Sequence, residues 1–112
     1  FGGGQIEGFS QGPFVFPDPG LMNFGTVAVG EEVVRTIPLS NGGWGDSASL
    51  SISGADAADF SIVSTQCNQI FYSQCAFRLA FRSQTVGLKS ATITAVGQVS
   101  GAVTNALMGE VQ

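Results

Sequence analysis

Histidine is absent from this chain of 112 residues, and charged residues make up only 11% of it. Histidine is the most common general base near pH 7 and a common metal ligand, so its absence removes the usual Ser-His and Cys-His nucleophile pairs. The four cations are scattered, whereas nucleic acids and anionic membranes require clustered positive charge. No run of ~18 apolar residues is present to span a membrane. We therefore expect no catalysis, no cofactor, no nucleic-acid partner and no membrane span.

Cysteine is scarce too, with only Cys67 and Cys75 in the chain. An even count in a small domain of low charge favours a disulfide and an oxidising compartment, and two buried free thiols in a cytosolic protein are the alternative. Two thiolates without histidine cannot complete a closed zinc shell, so no metal is expected there.

The remaining composition predicts a folded domain, because 44% of the residues are hydrophobic, with nine phenylalanines and sixteen glycines. The length allows one domain and an arm. Alternating apolar residues between turn signals predict seven short strands and hence a two-sheet sandwich. These strands are expected at about 21–25, 32–40, 48–53, 59–64, 75–82, 89–96 and 102–108.

The pattern predicts the inward-facing side chains of these strands and leaves two exceptions. Pro38 lies in mid-strand, where a missing N–H is tolerated toward a sheet edge. Asn105 takes an apolar place, so either the last strand is shifted in register or its amide makes a hydrogen bond. The expected inward residues are Ile37, Leu39, Leu50, Ile52, Phe60, Ile62, Cys75, Phe77, Leu79, Phe81, Ala91, Ile93, Ala95, Val103 and Leu107.

Two motifs carry a family resemblance: FGTVAVG at 24–30, followed by a strand that ends in Asn41-Gly42-Gly43, and GADAADF at 54–60. They resemble the choice-of-anchor D domains of bacterial secreted and surface proteins, relatives of the ASH (Hydin-type) domains. The resemblance covers about residues 20–112 and implies an immunoglobulin-like, seven-stranded antiparallel β-sandwich. A cysteine pair near Cys67 and Cys75 is frequent in that family, which further favours the disulfide.

Residues 1–19 form a Gly- and Phe-rich N-terminal arm or linker ahead of the sandwich at 20–112. Ile6, Phe9, Phe14 and Phe16 are too many apolar residues for an inert spacer. We expect the arm to contact another subunit along a sheet edge, with Ile6 and Phe9 as anchors and Phe14 and Phe16 either joining them or prolonging the first strand of their own domain.

Loop residues offer two weaker candidates for ligand contact. Trp44, Phe71 and Tyr72 lie in predicted loops, where aromatic rings either bind a sugar or a partner or cap the sandwich ends. The carboxylates Asp46, Asp56 and Asp59 also lie in loops; calcium binding requires several such groups to converge, whereas hydrogen bonding within turns is the favoured role.

These features predict a secreted or cell-surface structural module that associates with further copies of itself into an oligomer or filament, or with neighbouring surface-protein domains. The alternative is a ligand- or glycan-recognition module within a larger surface protein. A third hypothesis, an intracellular ASH-type adaptor, is disfavoured by the cysteine pair and the single lysine.

Overall fold

The computed structural model describes residues 14–41, 45–98 and 101–112. Within these ranges the chain forms seven strands and two short 3₁₀ helices, Pro19–Met22 and Ala57–Asp59. No helix in the described part of the chain is long and apolar enough to cross a membrane. The strands are β1 (Asn23–Val27), β2 (Val33–Ser40), β3 (Ala48–Ser53), β4 (Phe60–Thr65), β5 (Gln74–Phe81), β6 (Gly87–Gly97) and β7 (Gly101–Val111).

The strands form two sheets, one in the order β1-β7-β6-β3 and the other in the order β2-β5-β4. The three-stranded sheet corresponds to strands B, E and D of the immunoglobulin constant-type sandwich, and β3, β6 and β7 correspond to C, F and G. The predicted immunoglobulin-like β-sandwich is confirmed. The β6–β7 hairpin is longer than the sequence predicted, and its strands pair from Gly87 with Val111 to Gly97 with Gly101.

One strand pair departs from the predicted antiparallel arrangement, because β1 lies parallel to β7. Val15 makes an isolated bridge to Ser40 at the edge of β2, and the 3₁₀ helix Pro19–Met22 then carries the chain across to the other sheet. β1 therefore runs beside β7 in the same direction. Its register shifts between Asn23 and Thr26, where Gly25 takes a positive φ of 68° that favours glycine.

The core lies between the two sheets, and the alternation in the sequence identified most of it. The predicted residues of β2, β5 and β6 are buried, and Leu50, Ile52, Ile62 and Val103 are half-buried against them. Three phenylalanine rings form the centre of one end, with Phe60 stacked on Phe81 at 4.8 Å and Phe24 5.5 Å from Phe81. The core also contains residues that the alternation did not select, namely Phe14, Phe16, Met22, Phe24, Val27, Ala48, Cys67, Phe71 and Val111.

Both exceptions in the sequence pattern have a structural explanation. Pro38 lies on β2, which is an edge strand with β5 as its ladder partner, so the missing N–H is tolerated as predicted. Asn105 is half-buried, and its Nδ2 donates hydrogen bonds to Met22 Sδ (3.4 Å) and to the carbonyl of Ala106 (3.2 Å). Those hydrogen bonds offset the burial of its amide, which is the second of the two expected explanations.

Arg35 of β2 joins the two sheets on their open side. Its Nη1 donates to the carbonyl oxygens of Leu21 (3.1 Å) and Asn23 (2.8 Å), and its guanidinium carbon lies 5.3 Å from the centre of the Phe24 ring. The Arg35 guanidinium therefore hydrogen-bonds both carbonyl oxygens and also covers one face of the Phe24 ring. Arg35 thus holds the start of β1 against the opposite sheet.

Candidate functional site

The sandwich has two ends, and the described chain begins at one of them, which we call the arm pole. The Phe14 ring stacks on Phe71 with centroids 5.7 Å apart and lies against the backbone of Gly97. The other end, which we call the C-terminal pole, holds Gln112, whose N–H donates to the Val27 carbonyl at 3.0 Å. β6 runs from Gly87 at the C-terminal pole to Gly97 at the arm pole. Its ten steps place the poles about 33 Å apart.

A disulfide between Cys67 and Cys75 lies beside the arm pole, with a Cα–Cα distance of 5.3 Å. Cys67 is fully buried, and its carbonyl accepts the N–H of Ala48 at 2.7 Å. The predicted disulfide is confirmed. It closes the loop between β4 and β5 and anchors that loop to the first residue of β3.

Hydrogen bonds from the connection between β2 and β3 hold the rest of the loop between β4 and β5 in place. Asp46 and Phe71 exchange backbone hydrogen bonds of 3.2 and 2.9 Å, and Asn41 Nδ2 donates to the Phe71 carbonyl at 3.0 Å. The Asp46 carboxylate accepts N–H groups from Ser47 (2.8 Å) and Gln98 (3.2 Å). The buried carboxylate therefore organises the loops of the arm pole.

The loop aromatics divide between the two roles that the sequence left open. Phe71 is only 8% exposed and caps the sandwich end beneath Phe14, which is the second of the two roles considered for it. Tyr72 is 65% exposed and rests on the backbone of Gly45 together with the exposed Ile70. Ile70 was missed because a lone apolar residue in a loop carries no pattern. Trp44 lies outside the described residues.

The arm residues divide in a similar way. Phe14 and Phe16 are buried in their own domain, Phe14 on Phe71 and Phe16 edge-on to Phe77 at 6.3 Å. Of the two alternatives for Phe14 and Phe16, the structure has them packed in their own domain and not at an exposed contact surface, so the sandwich includes part of the segment at 1–19. Ile6 and Phe9 lie outside the described residues.

The three candidate calcium ligands lie on different parts of the fold. Asp46 belongs to the arm pole, while Asp56 Oδ2 accepts the N–H of Ser90 on β6 at 2.9 Å. The Asp59 carbonyl accepts the N–H of Arg82 at 2.9 Å. Among the described residues no group of three His, Cys, Asp or Glu side chains is arranged to hold a metal ion. Only the bond from Ser47 to Asp46 is local to a turn, and the carboxylates of Asp46 and Asp56 otherwise accept N–H groups from distant parts of the chain, Gln98 and Ser90.

An open groove of about 440 Å³ lies on the outer face of the four-stranded sheet, toward the C-terminal pole. Leu88 of β6 and Met108 of β7 are its apolar side chains, and they are 82% and 47% exposed. Asn23 and Thr26 of β1 line the opposite side. We call this the lateral groove. The sequence carries no signal for the lateral groove, because three strands that come together only in the fold form it.

No family model matches the chain, and no curated protein matches its sequence. Among solved structures, the ASH/PapD-like domain 7 of human CEP192 is similar, with a TM-score of 0.68, 11% identity and coverage of 96% of this chain and 92% of that one. A Bacteroides ovatus GH5 xyloglucanase, solved with a XXXG heptasaccharide, has a TM-score of 0.60, 11% identity and coverage of 88% and 19%. The secreted serine protease VesC of Vibrio cholerae has a TM-score of 0.57, 17% identity and coverage of 80% and 21%.

These likenesses show the fold. It is immunoglobulin-like. The chain spans nearly all of the CEP192 domain and about a fifth of the protease and xyloglucanase chains. The sandwich is therefore similar both to a separately solved domain and to parts of larger secreted or carbohydrate-active proteins.

Proposed function

We propose that this chain is a non-catalytic structural module of a bacterial extracellular or cell-surface assembly, of the choice-of-anchor D type, and that it associates with further copies through its N-terminal arm. The observation that carries the proposal is the place where the arm meets the sandwich. Phe14, the first described residue after residues 1–13, lies at the arm pole, and the paired ends of β6 and β7 at Gly87 and Val111 form the opposite pole. Opposite ends favour head-to-tail contacts, which extend into a fibre when the rotation between copies does not close a ring.

Packing at the arm pole supports the same proposal. Phe14 and Phe16 occupy the apolar space at this end of the sandwich, and the Phe14 ring lies between Phe71 and the backbone of Gly97. Ile6 and Phe9 remain as apolar side chains in a segment with five glycines, at 2, 3, 4, 8 and 12. An aromatic ring offers ~150–250 Å² of surface, and its burial against a neighbour is favourable.

Two further features support a structural role outside the cell. The Cys67–Cys75 disulfide suits an oxidising compartment, and one of the similar structures is a secreted serine protease. The chain holds no histidine, the most common general base, and in the described part of the chain the carboxylates of Asp46 and Asp56 accept backbone N–H groups, which is a structural role.

The proposal is tested with the intact chain, a variant lacking residues 1–12, and the full-length variant Ile6→Ser/Phe9→Ser. We expect the intact chain to form concentration-dependent oligomers in light scattering and analytical ultracentrifugation, and both variants to remain folded monomers. The truncation should change the free energy of unfolding by less than ~1–2 kcal/mol, because the core strands are untouched. The substituted variant controls for arm length.

Assembly of both variants like that of the intact chain would contradict the proposal. An intact chain that stays monomeric at high concentration would favour the second candidate, a ligand- or glycan-recognition module of a larger surface protein. The exposed Tyr72 and Ile70 at the arm pole support that candidate.

A further inference from the structure

The lateral groove gathers two exposed apolar side chains on neighbouring strands of the sheet face, and Lys89 and Glu110 also line it. Leu88 is 82% exposed on β6, and Met108 is 47% exposed on the neighbouring β7. Farther along the same face, Thr92 pairs with Ala106 and Thr94 pairs with Thr104. Exposed apolar side chains gathered in a depression indicate a contact site more strongly than isolated ones do.

The groove exists because β1 is irregular where it meets β7. The register shift between Asn23 and Thr26 leaves Gly25 with a positive φ of 68°, and no atom lies within 4 Å of the place where its side chain would begin. The space beside Met108 is therefore open. At about 440 Å³ the groove is large enough for a phenyl ring, since benzene fits a cavity of about 150 Å³.

The length of the arm decides which copy of the chain can supply that ring. Phe9 is five steps along the chain from Phe14, and a fully extended chain of that length spans at most ~18 Å. Phe14 lies against Gly97, and nine steps of β6 separate Gly97 from Leu88, which is about 30 Å along the strand. Phe9 falls short of the groove of its own domain. A second copy placed end to end brings its arm pole to this groove.

We propose that the lateral groove receives Phe9 from the arm of a second copy, so that the arm pole of one subunit joins the C-terminal pole of the next. The ring lies between Leu88 and Met108, where it meets the methionine thioether, a favourable partner for aromatic groups. This inference rests on the proposed function and names the acceptor surface that the function requires.

Methionine provides a direct reporter, because the chain holds only Met22, which is fully buried, and Met108 in the groove. The full-length Ile6→Ser/Phe9→Ser variant, labelled with ¹³C at the methionine methyl groups, is titrated with a synthetic peptide of residues 1–12. We expect a saturable shift of the Met108 signal and an unchanged Met22 signal. The same peptide with Phe9→Ala should leave both signals unmoved. An unmoved Met108 signal at peptide saturation, or equal shifts with both peptides, overturns the inference.

Two exposed serines on the same face of the sheet provide matched variants of the intact chain. Ser90 lines the lateral groove, whereas Ser51 on β3 lies outside it. Ser90→Trp should fill the groove and weaken association at least about tenfold, and Ser51→Trp should assemble like the wild type. Leu88→Ser should also weaken association about tenfold, through the lost apolar contact. Val63→Ser, on the exposed edge strand β4, should not.

The outcomes separate this inference from the proposed function. If Ile6→Ser/Phe9→Ser assembles like the wild type, the arm-mediated function fails and the inference fails with it. If that variant is monomeric while Ser90→Trp and Leu88→Ser assemble normally, arm-mediated assembly stands and the groove is not its acceptor. In that case, weakened association of Val63→Ser identifies the β4 edge as the acceptor instead.

Discussion

Replacing Gly109 with alanine tests whether the phenylalanine core beneath β7 is as closely packed as the structure shows. Gly109 is buried in mid-strand opposite Lys89, and its φ does not require glycine. A Cβ atom there would overlap Phe81 Cε2 and would lie 2.7 Å from Cζ and 3.0 Å from Cδ2. Phe81 has no exposed surface and is held by Phe60 and Phe24, so its ring cannot yield.

The expected cost follows from that confinement. Overpacking a well-filled core by one carbon costs ~1–3 kcal/mol, and we expect Gly109→Ala to lie at the upper end, about 3 kcal/mol. For a domain of 112 residues that loss lowers the melting temperature by about 13 °C. Urea unfolding at 25 °C, followed by tryptophan fluorescence and circular dichroism, measures the change.

Two further variants isolate the cause of the loss. Gly20→Ala lies where no atom is within 4 Å of the new carbon, and it should change stability by less than ~0.5 kcal/mol. Phe81→Leu removes the ring that Gly109→Ala strikes. A double-mutant cycle should give a favourable coupling of ~1–2 kcal/mol between the two substitutions. If Gly109→Ala and Gly20→Ala change the free energy of unfolding equally, or if the coupling energy is zero, Phe81 is not packed closely against β7.

Two predictions concern the covalent and polar links between elements. Replacing Cys67 and Cys75 together with alanine should lower the free energy of unfolding by about 2–3 kcal/mol, because the disulfide closes a loop with a sequence separation of 8. Urea unfolding of this variant should match that of the reduced wild type. A large mismatch would show that loop closure alone does not explain the loss. Arg35→Ala should lower the free energy of unfolding by ~1–2 kcal/mol, because two charged hydrogen bonds and the contact with Phe24 are lost. Arg78 is exposed, and Arg78→Ala should change the free energy of unfolding by less than ~0.5 kcal/mol. Equal losses for the two arginine variants, measured by thermal unfolding, would contradict the assigned role of Arg35.

The number of strands and most of their inward faces could be predicted from the local pattern of apolar residues. Alternation is a local property, because successive side chains of a strand point to opposite sides, so Ile37 and Leu39 on β2 and Phe77 and Leu79 on β5 could be assigned to the core without their partners. Pro38 placed β2 at an edge for an equally local reason, since proline carries no N–H to donate.

The tertiary structure was needed to show what packs against the apolar residues outside the alternating pattern, and which strands from distant parts of the chain pair. The sequence left two roles open for Phe14 and for Phe71, at a contact surface or within their own domain. The two rings stack on each other, because a sandwich end must be closed and the fold brings them together across 57 residues of sequence. The lateral groove, likewise, depends on the parallel pairing of β1 with β7 and on the bulge at Gly25. A periodic pattern in one segment carries no information about which strand pairs with it, because the stabilisation of a strand pair comes from contacts between the two segments.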